Sequence, residues 1–218
     1  MSDEPLVDLE KTLPGIRERV TPIAKQFFDL YCTDRNFRFD RPLVAVDVET
    51  EGLDHMKHSV IEIGAVSFRY DGVDVSVGAF WAMLNHGRAL PKVITEITGI
   101  TDTDIQLHGQ PPERVYQDFL NWLEDIRPAY LVAHNSQFDE RMLVEDLKRY
   151  DFPSCLGEFL CTKKLSIRHL PKLENNKLVK VAEHLNIVNP QAHRALSDAE
   201  TCARAFFNIM VLAHGKEI

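Results

Sequence analysis

The chain has 218 residues, 44% of them hydrophobic and 27% charged, with a formal net charge of −8. That length suits one domain of ordinary size with a substantial core, and the balance is that of a globular protein, not a disordered chain. The acidic excess argues against a protein that clings to long nucleic acid through a broad basic surface.

No apolar run approaches a membrane span, and residues 1–10 are too acidic for a secretory signal, so an intracellular, cytoplasmic location is expected. Cys32, Cys155, Cys161 and Cys202 form neither a C-x-x-C pair nor a disulfide framework, so free thiols are expected. Ile16, Val20, Ile23, Phe27 and Leu30 recur at steps of four and three, which predicts a helix after Pro14, bent at Pro22. Packing on the rest of the domain is the favoured use of its apolar face, and docking of a protein partner is the other. Residues 34–41 read as a linker. The chain therefore divides into an N-terminal helical extension and linker over 1–41 and a main domain over 42–218.

Pro42 opens the run Leu43-Val44-Ala45-Val46-Asp47-Val48-Glu49-Thr50-Glu51-Gly52-Leu53. As a central strand it places Asp47 and Glu49 on one face, roughly 7 Å apart at their Cα atoms. Like charges at the end of a buried strand repel and lose solvation, so they call for a cation. Oxygen ligands suit Mg²⁺ or Mn²⁺. Taken alone, the pair is more readily an acidic strand end with no metal.

Val60 to Phe68 predicts a second strand, Asp71-Gly72 a hairpin turn, and Val73 to Leu84 a third strand. A short helix over Lys92 to Thr98 stops at Gly99, and Pro112 opens a longer one carrying Val115, Phe119, Trp122 and Ile126. Tyr130 to Ala133 is a short buried strand, added in parallel after that crossover. It runs into His134-Asn135-Ser136-Gln137-Phe138-Asp139 and a helix over Glu140 to Tyr150. Asp139 at a helix start is as readily a cap as a site residue. Further helices follow at 162–169 and 178–185. The terminal helix has Cys202, Phe206 and Met210 inward, Asp198 about one turn inside it and His193 just ahead. Ala199, Ala203 and Ala205 suggest close packing, which brings Asp198 to the first two acids if the helix lies on the sheet. Neither G-x-G-x-x-G nor a Walker loop is present.

Asp47-Val48-Glu49-Thr50-Glu51-Gly52, His134 to Asp139 and His193-Arg194-Ala195-Leu196-Ser197-Asp198-Ala199 together resemble the three motifs of the DEDDh family of 3′-to-5′ exonucleases, over about residues 43 to 212. Ile61-Glu62-Ile63-Gly64 and Thr98-Gly99-Ile100 agree as well. The resemblance implies an α/β, ribonuclease H-like fold: a mixed five-stranded sheet flanked by helices, its fifth strand near Leu160-Cys161. Two positions depart from the pattern. Cys161 stands where relatives often carry Asp, and is assigned no catalytic role. Glu51 stands where many carry Thr or Ser, and either faces solvent, the favoured reading, or crowds the substrate phosphate.

By resemblance, Asp47, Glu49 and Asp198 hold one of two Mg²⁺ or Mn²⁺ ions, Asp47 bridges to the second, and Asp139 supports that one through water. His193 is the general base. Thr50 and Leu53 lie beside the terminal nucleotide, and Asn135 and Phe138 line the groove; Phe138 is equally a core residue. The implied activity is hydrolysis of terminal phosphodiester bonds of single-stranded DNA or RNA 3′ ends, releasing nucleoside 5′-monophosphates. DNA against RNA stays open, as does the oligomeric state. The alternative is a non-catalytic or tethered subunit of a polymerase or RNA-processing complex, acting through the N-terminal helix; all five site residues being present favours the enzyme. Lys57, Arg88 and Lys92 lie near the expected site without forming a long basic stripe, which predicts a short footprint.

Overall fold

Alternating valines flanked by turn residues create the centre of the molecule. The protein is represented by a computed structural model that describes residues 9–32 and 41–214. Its strands are β1 (Leu43–Thr50), β2 (Val60–Tyr70), β3 (Val75–Leu84), β4 (Gly109–Gln110), β5 (Tyr130–Ala133) and β6 (Phe159–Cys161). They form one sheet in the order β4-β3-β2-β1-β5-β6. The first three strands are antiparallel, β5 is parallel to β1, and β6 is parallel to β5. This is the mixed ribonuclease H-like sheet, with five strands where the sequence places them. The sixth, β4, pairs in parallel with Met83 and Leu84 at the edge. Two residues, Gly and Gln, carry no apolar pattern by which to foresee it.

The helices are α1 (Leu9–Thr12), α2 (Ile16–Tyr31), α3 (Lys92–Thr98), α4 (Asp102–His108), α5 (Pro112–Ile126), α6 (Gln137–Arg149), α7 (Thr162–His169), α8 (Leu178–His184) and α9 (Ala195–Ala213). Side chains alternate across β1, so each face buries a separate core. Val44, Val46 and Val48 pack with Val115 and Phe119 of α5 and Leu143 and Leu147 of α6. Leu43 and Ala45 pack with α2 and α9, including Phe27, Phe28, Phe206 and Phe207. No helix of the described residues is long and apolar enough to cross a membrane.

Helix α9 begins directly on β2, at a point where a side chain is impossible. A Cβ on Gly64 would lie 2.1 Å from the Leu196 nitrogen and 2.2 Å from the Ala195 carbonyl carbon. The glycine brings the helix start against the sheet beside Asp47, which is the cross-strand partner of Gly64.

On the other side of α9 lies α2. Its buried positions are Ile16, Val20, Ala24, Phe27, Phe28 and Tyr31, while Ile23 and Leu30 sit at the edge of the cluster. The inward face is rotated from the expected one because the small Ala24 and the paired Phe27 and Phe28 fit the aromatic surface of α9. Phe27 lies 5.4 Å from Phe206 and 5.2 Å from Phe207, ring centre to ring centre. The Tyr31 hydroxyl donates to the Met210 carbonyl at 2.8 Å, and Arg19 grips fully buried Glu200 through two bonds of 2.7 and 2.8 Å. The apolar face of α2 is therefore taken up by this chain's own core. Apart from residue 41, the expected linker lies outside the described residues.

Candidate active site

Asp47 and Glu49 lie near the C-terminal end of β1, where pairing with β2 slips between Glu49 and Thr50. Because β5 runs parallel to β1, the loop after β5 emerges at the same end of the sheet. That loop is shaped by Asn135, in the left-handed region at φ 67°, a conformation that Asn tolerates better than most residues. His134 ties it down: Nδ1 bonds Thr162 Oγ1 at 2.8 Å and Nε2 bonds the Asn176 carbonyl at 2.8 Å. Burial lowers the His134 pKa. The loop feeds α6, whose first turn carries Asp139, 2% exposed.

Asp139 is not an ordinary cap. Its Oδ2 is buried with no hydrogen-bond partner among the described residues. Burial pushes the Asp139 pKa up to about 8, with Asp198 adding to the shift and the backbone N–H groups of Asp139 and Val48 opposing it. Glu49 is likewise raised to about 8, by burial first and then by Asp198, Glu62 and Asp139, against the pull of Arg194. Asp47 is held well above the usual carboxylate range by burial, then by Asp139, Asp198 and Glu49. Asp198 is raised by burial, although the Asn189 amide and the His193 N–H donate to it.

His193 stands exposed just before α9 at φ 63°, its N–H 3.1 Å from Asp198 Oδ2. Ligand atoms of Glu49, His193 and Asp198 all lie within 4.8 Å of one another. Four carboxylates raised by burial, three of them also by acids of the same cluster, with a buried oxygen lacking a partner among the described residues, form a donor set that hard divalent cations fit.

Leu53, 83% exposed, lines a cleft of about 220 Å³ with His55, Asn135, Gln137, Phe138 and Arg141. Phe138 does both things the sequence leaves open, since it also packs on the core under α6. Thr50 is buried, and its hydroxyl donates to the Gly52 carbonyl at 2.8 Å, which steadies the turn leading to Leu53.

Glu51 corrects the favoured expectation. It is 6% exposed, ion-paired with Arg88, and accepts from the Ser59 N–H at 3.1 Å. Burial alone would raise its pKa, but the Arg88 guanidinium brings it below the usual value. The charge is tolerated because Arg88, four residues beyond the end of β3, folds back over it, a contact no local motif announces. Lys57 and Lys92 are also met by acids, Asp54 at 2.8 Å and Glu96 at 3.8 Å.

Sequence reasoning missed the structural work of Glu62 and Asn189. Fully buried Glu62 accepts from Trp81 Nε1 at 2.7 Å, from Arg194 Nη2 at 2.7 Å and from the Ala195 N–H at 2.9 Å. It anchors the backbone immediately after His193. The signal was an acid inside the apolar run Ile61-Glu62-Ile63, because a buried charge requires partners. Asn189 follows a loop with no comparable pattern.

The profile of a family described as exonuclease, of the RNase T type, matches residues 44–206. DNA polymerase III subunit epsilon of Aquifex aeolicus is 31% identical over 177 residues, covering 81% of this chain and 84% of its own length. The PolC-type DNA polymerase III of Oceanobacillus iheyensis is 33% identical over 186 residues, 85% of this chain. The chain spans only 12% of that polymerase and 13% of its Thermotoga maritima counterpart. Among solved structures, the nuclease domain of 3′hExo, a DEDDh family member bound to rAMP, superposes with a TM-score of 0.64 at 16% identity, covering 78% of this chain and 92% of that one. Exonuclease X in complex with 5′ overhanging duplex DNA gives a TM-score of 0.57 at 25% identity, covering 77% and 90%.

Proposed function

The chain belongs to the RNase T-type exonuclease family, and from that premise we propose that it is a metal-dependent 3′-to-5′ exonuclease that trims single-stranded nucleic acid and releases nucleoside 5′-monophosphates. The observation that carries this reading is the convergence of Asp47, Glu49, Asp139 and Asp198 with His193 at one end of the sheet.

In this reading Asp47, Glu49 and Asp198 hold one Mg²⁺ or Mn²⁺, and Asp47 and Asp139 serve a second. Such a pair of cations supplies acidification of the attacking water and neutralisation of charge on the phosphate and the leaving oxygen. The chain's own residues do the rest. His193, exposed on its loop beside Glu49 and Asp198, accepts the proton of the attacking water, a task suited to an imidazole near neutral pH. Glu62, through Arg194 and Ala195, keeps that loop in place. Leu53 and Phe138 form apolar walls for the terminal base, a contact tolerant of sequence, while Asn135 offers a polar edge.

The relatives named as DNA polymerase III components favour DNA as substrate. A role as a subunit docked through the N-terminal helix has less support, because the apolar face of α2 is spent on α9. The test is digestion of matched 5′-labelled DNA and RNA single strands with Mg²⁺ or Mn²⁺. Progressive shortening from the 3′ end with nucleoside 5′-monophosphate products is expected. Inertness on both strands with both metals, or release of 3′-monophosphates, would overturn the proposal.

A further inference from the structure

Many cations among the described residues are already engaged by carboxylates. Lys57, Lys92 and Lys148 pair with acids three or four residues away, and Arg19, Arg88 and Arg194 pair with buried ones. A different group gathers on α7 and the segment after it: Lys163, Lys164, Arg168, Lys172 and Lys177. Among the described residues none of these forms an ion pair, and on this surface only Lys180 does, with Glu174 and Glu183. Lys164, Arg168, Lys172 and Lys177 are exposed.

The group is anchored to the candidate active site by hydrogen bonds. Thr162 and Asn176 clasp the two nitrogens of His134, and Ser166 Oγ bonds Asn176 Oδ1 at 2.9 Å, tying the two segments together. Lys163 and Lys177 directly follow those two clasping residues. The Lys163 Nζ lies 3.5 Å from Oδ1 of Asn135, on the rim of the cleft. Lys164 and Arg168 are one helical turn apart on α7. Like charges brought together without counterions repel, and a polyanion relieves that repulsion.

We propose that Lys163, Lys164, Arg168 and Lys177 form a phosphate-binding subsite beside Asn135 that holds the nucleic-acid backbone upstream of its terminal nucleotide. The inference rests on the exonuclease reading. It replaces the expected footprint of the terminal nucleotides alone with a grip on several phosphates. The recognised chemistry is the phosphodiester backbone, common to DNA and RNA.

Binding and cleavage separate the inference from the reading beneath it. Anisotropy of fluorescent oligothymidylate and oligouridylate, measured without divalent cations across a range of monovalent salt, tests the subsite. Cleavage of the same strands by the wild-type protein with Mn²⁺ tests the exonuclease reading. The variant pair is Lys164→Gln with Lys177→Gln. Each lost phosphate contact flattens the log-log salt slope by about 0.7 on single strands, so the pair is expected to flatten it by about 1.4. The control pair, Arg69→Gln with Arg127→Gln, removes the same charge from a cleft also lined by Arg41 and Pro42, at the opposite end of β1. It is expected to leave the slope unchanged. Circular dichroism checks that both pairs are folded. No measurable binding at low salt, no flattening in the first pair, or equal flattening in both pairs would overturn the subsite. Cleavage failure with normal binding slopes would overturn the exonuclease reading alone.

Discussion

At the scale of the residue, the acids are defined by what burial does to their protons. Glu49 and Asp139 hold protons up to about pH 8, whereas in an unfolded chain such groups ionise near 4. Between those values the folded state binds more protons than the unfolded one, so the stability of metal-free protein falls as pH rises through that window. The expected measurement is a Tm that declines from about pH 5 to pH 8 in chelator; a flat or rising profile would contradict the raised pKa values. Asp198→Asn and Asp47→Asn each remove a charged ligand at nearly constant size. Each is expected to nearly abolish turnover in a nuclease assay, while leaving the metal-free protein at pH 8 at least as stable as wild type. His193→Ala is expected to lower kcat by roughly 10²- to 10⁴-fold. Calorimetric Mn²⁺ binding to that variant should stay close to wild type, and a loss confined to metal affinity would make His193 a ligand, not a base.

At the scale of the element, α2 and α9 behave as one layer over the sheet. Among the described residues, Arg19→Ala leaves fully buried Glu200 with Arg204 as its cation, at 3.7 Å. Breaking one side of such a buried pair costs about 3 kcal/mol, a fall of roughly 6–12 °C in Tm for a chain of this size. Thermal denaturation checks it, and an unchanged Tm would mean that α2 contributes little to the packed body. The sequence made β1 to β3, β5 and the longer helices legible, because valine alternation, Asp71-Gly72, Gly99 and Pro112 are local signals, whereas β6 was placed only by the family resemblance. Helix α4 escaped notice, although Thr101 and Asp104 form a reciprocal capping box at its start. The inward face of α2 was legible at Ile16, Val20 and Phe27, but Ala24, Phe28 and Tyr31 are buried while Ile23 and Leu30 lie at the cluster's edge, since the exact side that faces the core depends on the shape of α9 and not on periodicity alone. Asp47, Glu49, Asp139, His193 and Asp198 were visible as motifs, but the burial of Glu51 under Arg88 and the anchoring by Glu62 are contacts between distant segments. Spacing along the chain does not name their partners, although the acid inside Ile61-Glu62-Ile63 signals that Glu62 has some.

At the scale of the whole molecule, the two faces of the sheet have different tasks. One is filled by α5 and α6, and the other positions α9 and is roofed by α2. The acids lie where both layers and the sheet end meet, so a cation bound there braces all of them. A ligand that binds only the folded state stabilises it by about 2.7 kcal/mol at a concentration of 100 Kd. Mn²⁺ is therefore expected to raise Tm progressively with concentration, and no shift over a wide range would count against the cation site. The Glu62 junction also has a spectroscopic consequence. Trp81 is one of two tryptophans in the chain, and its indole N–H ends on the same carboxylate that holds Arg194 and Ala195. Trp122 sits in the opposite layer against Phe80 and Phe119. With Trp122→Phe, a single tryptophan remains, wired by one carboxylate to the loop that carries His193, so with excitation selective for tryptophan the motion of that loop becomes visible as a change in fluorescence colour and intensity without any added label.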